Sequence, residues 1–363
     1  MKFVFPNLGN LSVLLCALMR EAGGSCVGPI PTTVRTAELG AKYAPSDACM
    51  PMKIVLGNFI EGYENGADTA LFLGGFGPCC FGYFAETYKL IFEQNGIKLN
   101  VITLEPDLQG VSQGLKLFHD VSDSSLVYLA HLLRKGFSYV RVLDEFEHQM
   151  YKKRAEINDL DELKRLNNFV RDTKQRLNKA DSLDVVHDIA AEAIKRLEDF
   201  KSDSIPNVKI GIVGDIYSVI DSYMNKDIQG LLADMGVYSQ KNMSLSLWIE
   251  DKLKNKKQEW QKYADTFLKE NVGGFARETV GSAAYWADGA FDGIIEIYPL
   301  NCMPENVAKT ILPTISKKYN KPIMSLIVDE MSGEAGYITR LEAFTQMIIR
   351  RKEAEYERAL PRN

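Results

Sequence analysis

Short apolar runs alternate with longer stretches of helical periodicity along most of the chain, and this alternation leaves few folds open. The runs Phe3–Phe5, Ala70–Leu73, Lys98–Ile102, Lys209–Val213, Gly293–Ile297 and Ile323–Ile327 read as buried strands. Asn10–Ala22, Pro51–Asn65, Phe81–Asn95, Asp215–Met224, Asn306–Tyr319 and Thr339–Arg351 read as helices. Several strands are separated from the next by one helix, as the crossover between parallel strands requires. The expected fold class is α/β with parallel sheets.

The stretch from Ser124 to Ser202 breaks the alternation. It is rich in Lys, Arg, Asp, Glu and Leu and has no proline, and it reads as two or three amphipathic helices, including Leu160–Asn178 and Leu183–Phe200. Ser202-Asp203-Ser204-Ile205-Pro206-Asn207 has linker composition and precedes the apolar run Val208–Gly214. The expected organisation is therefore an N-terminal α/β lobe over 1–123, a helical insertion and linker over 124–205, and a C-terminal α/β lobe over 206–363. A charged helix, Arg350–Ala359, closes the last lobe. Leu245–Asn271 is a further polar helical stretch, whose run Lys252-Leu253-Lys254-Asn255-Lys256-Lys257 reads as a solvated helix face.

Charge and hydropathy exclude some classes of function. The net charge of −5 comes with no strongly basic segment of domain size, so nucleic acid is not an expected partner. No apolar stretch reaches the ~20 residues needed to span a bilayer. Leu11–Met19 is apolar, but Pro6 precedes it and Arg20-Glu21 follow at once. It fits a helix after a short strand better than a signal peptide. A cytoplasmic location without membrane attachment is the expectation.

The chemistry is carried by cysteines. Cys49 lies in Ala48-Cys49-Met50-Pro51, Cys79 and Cys80 in Gly77-Pro78-Cys79-Cys80, and Cys302 in Asn301-Cys302-Met303-Pro304. Cys-Met-Pro occurs once in each half of the chain. Each site lies where an expected helix begins, and two of them follow an expected strand. Carboxyl ends of strands and amino ends of helices are where α/β folds bind ligands, and free N–H groups there stabilise a thiolate. Taken singly, each cysteine could be a small buried residue. Three sharing one location read instead as soft ligands to an iron–sulfur cluster or zinc.

Spacing does not decide between Cys79 and Cys80. Neighbours on a turn are expected to point apart, so one ligand is expected there. Pro78 fixes the loop before Cys79, which favours Cys79, with Cys80 as the alternative. Cys16 falls in an apolar helical run and reads as core. Cys26 is open as a structural thiol, a reactive thiol or a further ligand. No Cys-x-x-Cys is present, which excludes a ferredoxin-type run and a zinc ribbon. Three thiolates leave one iron of a [4Fe–4S] cube without a cysteine, free to act as a Lewis acid.

Other motifs are weaker. There is no GxxxxGK[ST] sequence and hence no Walker-type ATP site. His119, His131, His148 and His187 lie away from the cysteine motifs, so a Ser-His-Asp or zinc-hydrolase reading has little support. Asp329-Glu330 follows an expected strand, where it could line a cleft or cap the next helix.

The ordered motifs Ala48-Cys49-Met50-Pro51-Met52-Lys53, Gly74-Gly75-Phe76-Gly77-Pro78-Cys79, Val213-Gly214-Asp215, Cys302-Met303-Pro304-Glu305, and Asp329-Glu330 through Gly333-Glu334-Ala335-Gly336 to Thr339-Arg340-Leu341-Glu342-Ala343-Phe344 resemble the 2-hydroxyacyl-CoA dehydratase and benzoyl-CoA reductase superfamily. Within it the chain is similar to the CoA-substrate-specific enzyme activase-related branch, some of whose members are linked to double-cubane cluster proteins. The resemblance covers nearly the whole chain except the helical middle. It implies two Rossmann-like lobes with a cluster in the cleft between them. It also implies a [4Fe–4S] cluster on three cysteines, here Cys49, Cys79 and Cys302, or a double-cubane [8Fe–9S] cluster on six. An ATP-dependent iron–sulfur activase would deliver a low-potential electron, and the absence of an ATP motif places this chain on the accepting side. The chain departs from the branch at Cys80, where a basic residue is usual, and at Gly214-Asp215, where Gly-Glu is expected. A double cubane would need Cys16 and Cys26 as ligands, so one [4Fe–4S] cluster is favoured.

The leading expectation is thus an iron–sulfur reductase or dehydratase-like enzyme acting on a small substrate, acyl-CoA being the class the resemblance implies. The alternative is a non-catalytic electron-transfer or scaffold subunit that docks on an activase. A third reading is a structural zinc protein. The resemblance and the charged final helix make a homodimer the expected assembly.

Overall fold

The computed structural model describes residues 1–74, 79–104, 108–122, 124–244, 259–330 and 333–359. These contain two four-stranded parallel sheets and fourteen α-helices, so the α/β class stands. The first sheet has the order β2-β1-β3-β4, with β1 Lys2–Val4, β2 Ser25–Val27, β3 Thr69–Leu73 and β4 Asn100–Leu104. The second has the order β6-β5-β7-β8, with β5 Val208–Gly214, β6 Val237–Lys241, β7 Gly293–Pro299 and β8 Ile323–Val328. In both, the chain steps from the first strand to one edge and then crosses back past it. The crossing point lies between β1 and β3, and between β5 and β7. The carboxyl ends of these strand pairs are where an open parallel sheet leaves room for a ligand.

The described residues fall into two compact units. Those of 1–147, 167–199 and 243–257 form the first, and those of 148–166, 200–242 and 258–363 the second. Three helices occupy the charged middle: α6 Leu126–Ala155, α7 Leu160–Asn178 and α8 Leu183–Leu197. Their residues belong to the two units rather than to a third body. The run Lys252–Lys257 lies outside the described residues.

In the first unit, α1 (Asn10–Glu21) buries Leu11, Leu14, Leu18 and Met19. Gly136 on α6 leaves the space that Leu14 fills, since a Cβ there would stand 3.0 Å from its Cδ2. Polar ties join α1, α6 and α8. Lys135 reaches Glu21 at 3.3 Å and Asp184 at 2.7 Å, and the Leu183 amide donates to Glu21 at 2.6 Å. Helices α2 (Val34–Tyr43) and α3 (Met50–Glu64) cross more closely than side chains allow. A Cβ on Gly40 would meet the Lys53 carbonyl oxygen at 1.8 Å, and one on Gly57 the Thr36 carbonyl oxygen at 1.9 Å. Beyond β3, helix α4 (Phe84–Gln94) leads to β4, and α5 (Leu108–Ser122) follows.

In the second unit, β5 is followed by the short helices α9 (Ile216–Ile220) and α10 (Ile228–Asp234). The end of α6 is fastened to α10 by a bidentate pair, Arg154 to both Asp234 oxygens at 2.7 Å. Helix α11 (Glu259–Phe267) packs on α12 (Ala276–Asp288). Helices α12 and α13 (Met303–Tyr319) form an apolar layer with Val213 and Ile294 of the sheet, through Val280, Ala283, Ala308 and Leu312. Helix α14 (Glu334–Ala359) ends the described chain, so the stretches read from Thr339 and from Arg350 are one helix.

Candidate functional site

Cys49 is the N-cap of α3, with Pro51 in the helix's first turn, where its missing N–H costs no hydrogen bond. Its carbonyl accepts from Met52 N at 3.1 Å, and its side chain makes no capping hydrogen bond. The loop before it is held by Lys53, which is buried and donates from Nζ to the Ser46 carbonyl at 3.0 Å. Cys79 is the N-cap of a 3-10 turn, Cys80–Tyr83, that runs into α4. An aromatic group anchors this turn: Phe81 packs on Phe72 of β3 at 5.0 Å and on Phe84 at 5.4 Å. Tyr88, fully buried on α4, donates from its hydroxyl to the Met52 carbonyl at 3.1 Å. That bond ties α4 to the first turn of α3 and so relates the two cysteine loops.

The thiols meet. Cys80 hydrogen-bonds with Cys49, which raises its pKa above the ordinary thiol range, while the contact with Cys79 lowers it and burial raises it further. The expected divergence of neighbouring side chains is therefore not observed. With Cys79 extended and Cys80 opening a 3-10 turn, the Cys80 thiol reaches both Cys49 and Cys79. Cys49 and Cys79 are half-buried and Cys80 is exposed. Among the described residues, no three His, Cys, Asp or Glu side chains are arranged to hold a metal ion.

Cys302 takes the corresponding place in the second unit. It is the N-cap of α13, with Pro304 in the first turn, and it follows β7 at the crossing point of the sheet. Its amide donates to the Pro299 carbonyl at 3.0 Å and its carbonyl accepts from Asn306 at 3.0 Å. Two glycine positions shape the surroundings. Gly214 has φ +139° and a Cβ there would meet the Ile297 carbonyl oxygen at 1.9 Å, so β5 and β7 press together where Asp215 begins. Gly274 has φ +52° and seats Pro304, whose Cγ would lie 2.8 Å from an added Cβ.

Carboxyls collect in this part of the second unit. Glu296 of β7 and Glu305 of α13 are fully buried, and none of their four oxygens has a hydrogen-bond partner. Burial lifts Glu296 to about 7. The cross-strand neighbour Ser325 and the Lys309 ammonium offset part of the rise. Burial also pushes Glu305 well up, reinforced by Glu296 and Asp215, with the Thr279 hydroxyl opposing. Asp215 itself is raised by burial, against the hydrogen bonds it accepts from the Ser218 amide and hydroxyl at 3.0 Å. Burial thus favours the protonated form of all three acids, and Glu296, at about 7, is part-protonated at neutral pH. Asp329-Glu330 lie directly after β8, at the same end of the sheet.

Cys16 and Cys26 are joined as a disulfide between α1 and β2. Cys16 is in the core as expected, and the pairing with Cys26 is new. Glu296 was also missed, although a lone carboxylate inside Gly293-Ile294-Ile295-Glu296-Ile297 is a readable signal. No described helix is long and apolar enough to cross a membrane. No protein-family model matches the chain, and no curated protein is significantly similar to it.

Proposed function

We propose that the chain is an iron–sulfur protein in which Cys49, Cys79 and Cys302 hold one [4Fe–4S] cluster. In this reading the cluster lies in the cleft between two Rossmann-like lobes, and the charged helices over 124–205 are an insertion between them. An ATP-dependent iron–sulfur activase supplies a low-potential electron, and a small acyl-CoA-type substrate is reduced or dehydrated. The observation that carries the proposal is the meeting of Cys49 with the Cys79–Cys80 turn, from loops at the amino ends of separate helices. Cys302 occupies the equivalent strand-to-helix turn of a sheet with the same strand order. The donor set is sulfur only, which fits iron–sulfur chemistry. The Cys16–Cys26 disulfide leaves four thiols, two fewer than a six-thiolate double cubane requires.

When bound, such a cluster supplies one-electron chemistry and an iron able to act as a Lewis acid. The chain's own residues do the rest. The cysteine sulfurs would hold it, and the free N–H groups of three helix starts would offset its negative charge. Glu296 and Glu305, which burial holds toward their protonated forms, would donate the protons that reduction consumes. The test is anaerobic purification or reconstitution, with iron and acid-labile sulfide quantified together. Equal, substantial amounts with broad visible absorption are expected, and Cys302→Ser is expected to lower the iron content while the protein stays folded. A colourless protein that takes up only background iron, or parental iron in Cys302→Ser, defeats the proposal.

A further inference from the structure

Strand β7 carries a carboxyl into an apolar layer of the second unit. Ile294 packs there with Ala308 and Leu312 of α13 and with Val280 and Ala283 of α12. Side chains two apart on a strand share a face, so Glu296 and Tyr298 enter the same layer. Lys309 of α13 meets them there and donates to the Tyr298 hydroxyl at 2.6 Å. Glu305 lies one turn before Lys309, on the same side of α13. Thr279 comes from α12, whose start meets that of α13 where Gly274 seats Pro304, and its hydroxyl faces Glu305. Glu296, Glu305 and Thr279 are fully buried, yet all four carboxyl oxygens and the hydroxyl have no hydrogen-bond partner in the protein. Buried polar groups are nearly always paired, with ordered water where the protein offers nothing. A buried carboxylate also needs a countercharge, and Lys309 supplies one positive charge beside two carboxyls. Charged groups around the pair also include Glu278 of α12, Asp215, which Ser218 already hydrogen-bonds, and Arg340 of α14, which donates to the Ser325 carbonyl at 2.9 Å. One carboxylate set against Lys309 and one carboxylic acid leave no charge of the pair uncompensated.

We propose that Glu296 and Glu305 form a dyad that shares a single proton through internal water, with Thr279 as a further partner of that water. The inference does not use the iron–sulfur reading and applies equally to the chain without metal. As one carboxyl gives its proton to the water, the water gives a proton to the other, so the dyad keeps one proton and one negative charge. Such a dyad is a buried proton store. It can release its proton to a base that reaches the water, or take up a second proton from an acid.

Infrared spectroscopy of the full chain across a pH series tests this, because the carbonyl stretch of a protonated carboxyl is separate from the carboxylate bands. Asp215→Asn identifies the share of Asp215, which is subtracted. The dyad's band is expected to fall in two steps in the parent and in one step in Glu296→Gln and in Glu305→Gln. Interacting carboxyls hold their last proton harder than either would alone, so both single variants should titrate about one pH unit or more below the parent's last step. Independent acids would leave that last step unmoved in one of the two variants, and this result overturns the shared proton. Lys309→Met removes the countercharge and should move the parent's first step to higher pH. An unmoved first step overturns the charge balance, and this readout remains should the glutamine variants fail to fold. In water enriched in the heavy oxygen isotope, a water band in the difference spectrum across the last step is expected to shift. Absence of an isotope-sensitive band overturns the water link, and a parent with no protonated-carboxyl band at neutral pH overturns the dyad.

Discussion

A single carboxyl sets a measurable pH dependence. Glu296 sits on a central strand with no hydrogen-bond partner, faces Lys309 and Ser325, and is lifted from 4.5 to about 7 chiefly by burial. Between those two values the folded chain keeps a proton that the unfolded chain has lost. Its contribution is therefore complete below pH 4.5 and disappears as pH rises through 7. The gap corresponds to about 3 kcal/mol. Glu296→Gln should flatten this part of the profile, because an amide neither gains nor loses the proton. Urea unfolding at a series of pH values measures the difference. Parallel profiles for parent and variant would show that Glu296 titrates normally. Glu305 stays raised by burial in the variant but loses the reinforcement from Glu296, so the difference reads Glu296 together with its coupling to Glu305.

Helices α2 and α3 meet through glycine, and the consequence reaches the cysteine loop. Gly57→Ala would place a methyl against the Thr36 carbonyl, where backbone rather than a flexible side chain must yield. A loss on the order of 2 kcal/mol is expected, read as a lower urea midpoint at unchanged slope. An unchanged midpoint would mean the crossing adjusts freely. The same scale explains what was legible in the sequence. Strands β1, β3, β5 and β7 stand out because they are interior to their sheets and largely buried, and the edge strands β4 and β8 because most of their residues are apolar. Strands β2 and β6 do not. Both are edge strands; β2 is Ser-Cys-Val, and β6 mixes apolar and polar residues in Val-Tyr-Ser-Gln-Lys because only one side is well covered. The placement of cysteines at helix starts was legible from proline and glycine. Which sulfurs meet was not, because Cys80 reaches Cys49 only through a 3-10 turn and an aromatic anchor that involve distant residues. The Cys16–Cys26 pairing likewise depends on β1 bringing α1 and β2 side by side.

For the whole molecule, the proposed iron–sulfur reading carries a consequence for stability. A group that binds only the folded form raises the apparent stability. Anaerobic iron–sulfide loading should therefore raise the thermal midpoint of the parent by several degrees. The increase should largely disappear in Cys302→Ser, although that residue belongs to the second unit alone. An equal increase in the variant would show that Cys302 does not hold the iron.

The division of the chain also bears on how it is made. The first unit needs α8, whose Val186 and Ala190 are fully buried, and α8 is encoded after part of the second unit has already been passed. On the ribosome, the first unit must wait for residues up to 199 before α8 can pack on α1. Until then Glu21 at the end of α1 lacks the Leu183 amide whose hydrogen bond it accepts in the folded chain. A nascent chain in that interval is a natural client for chaperones.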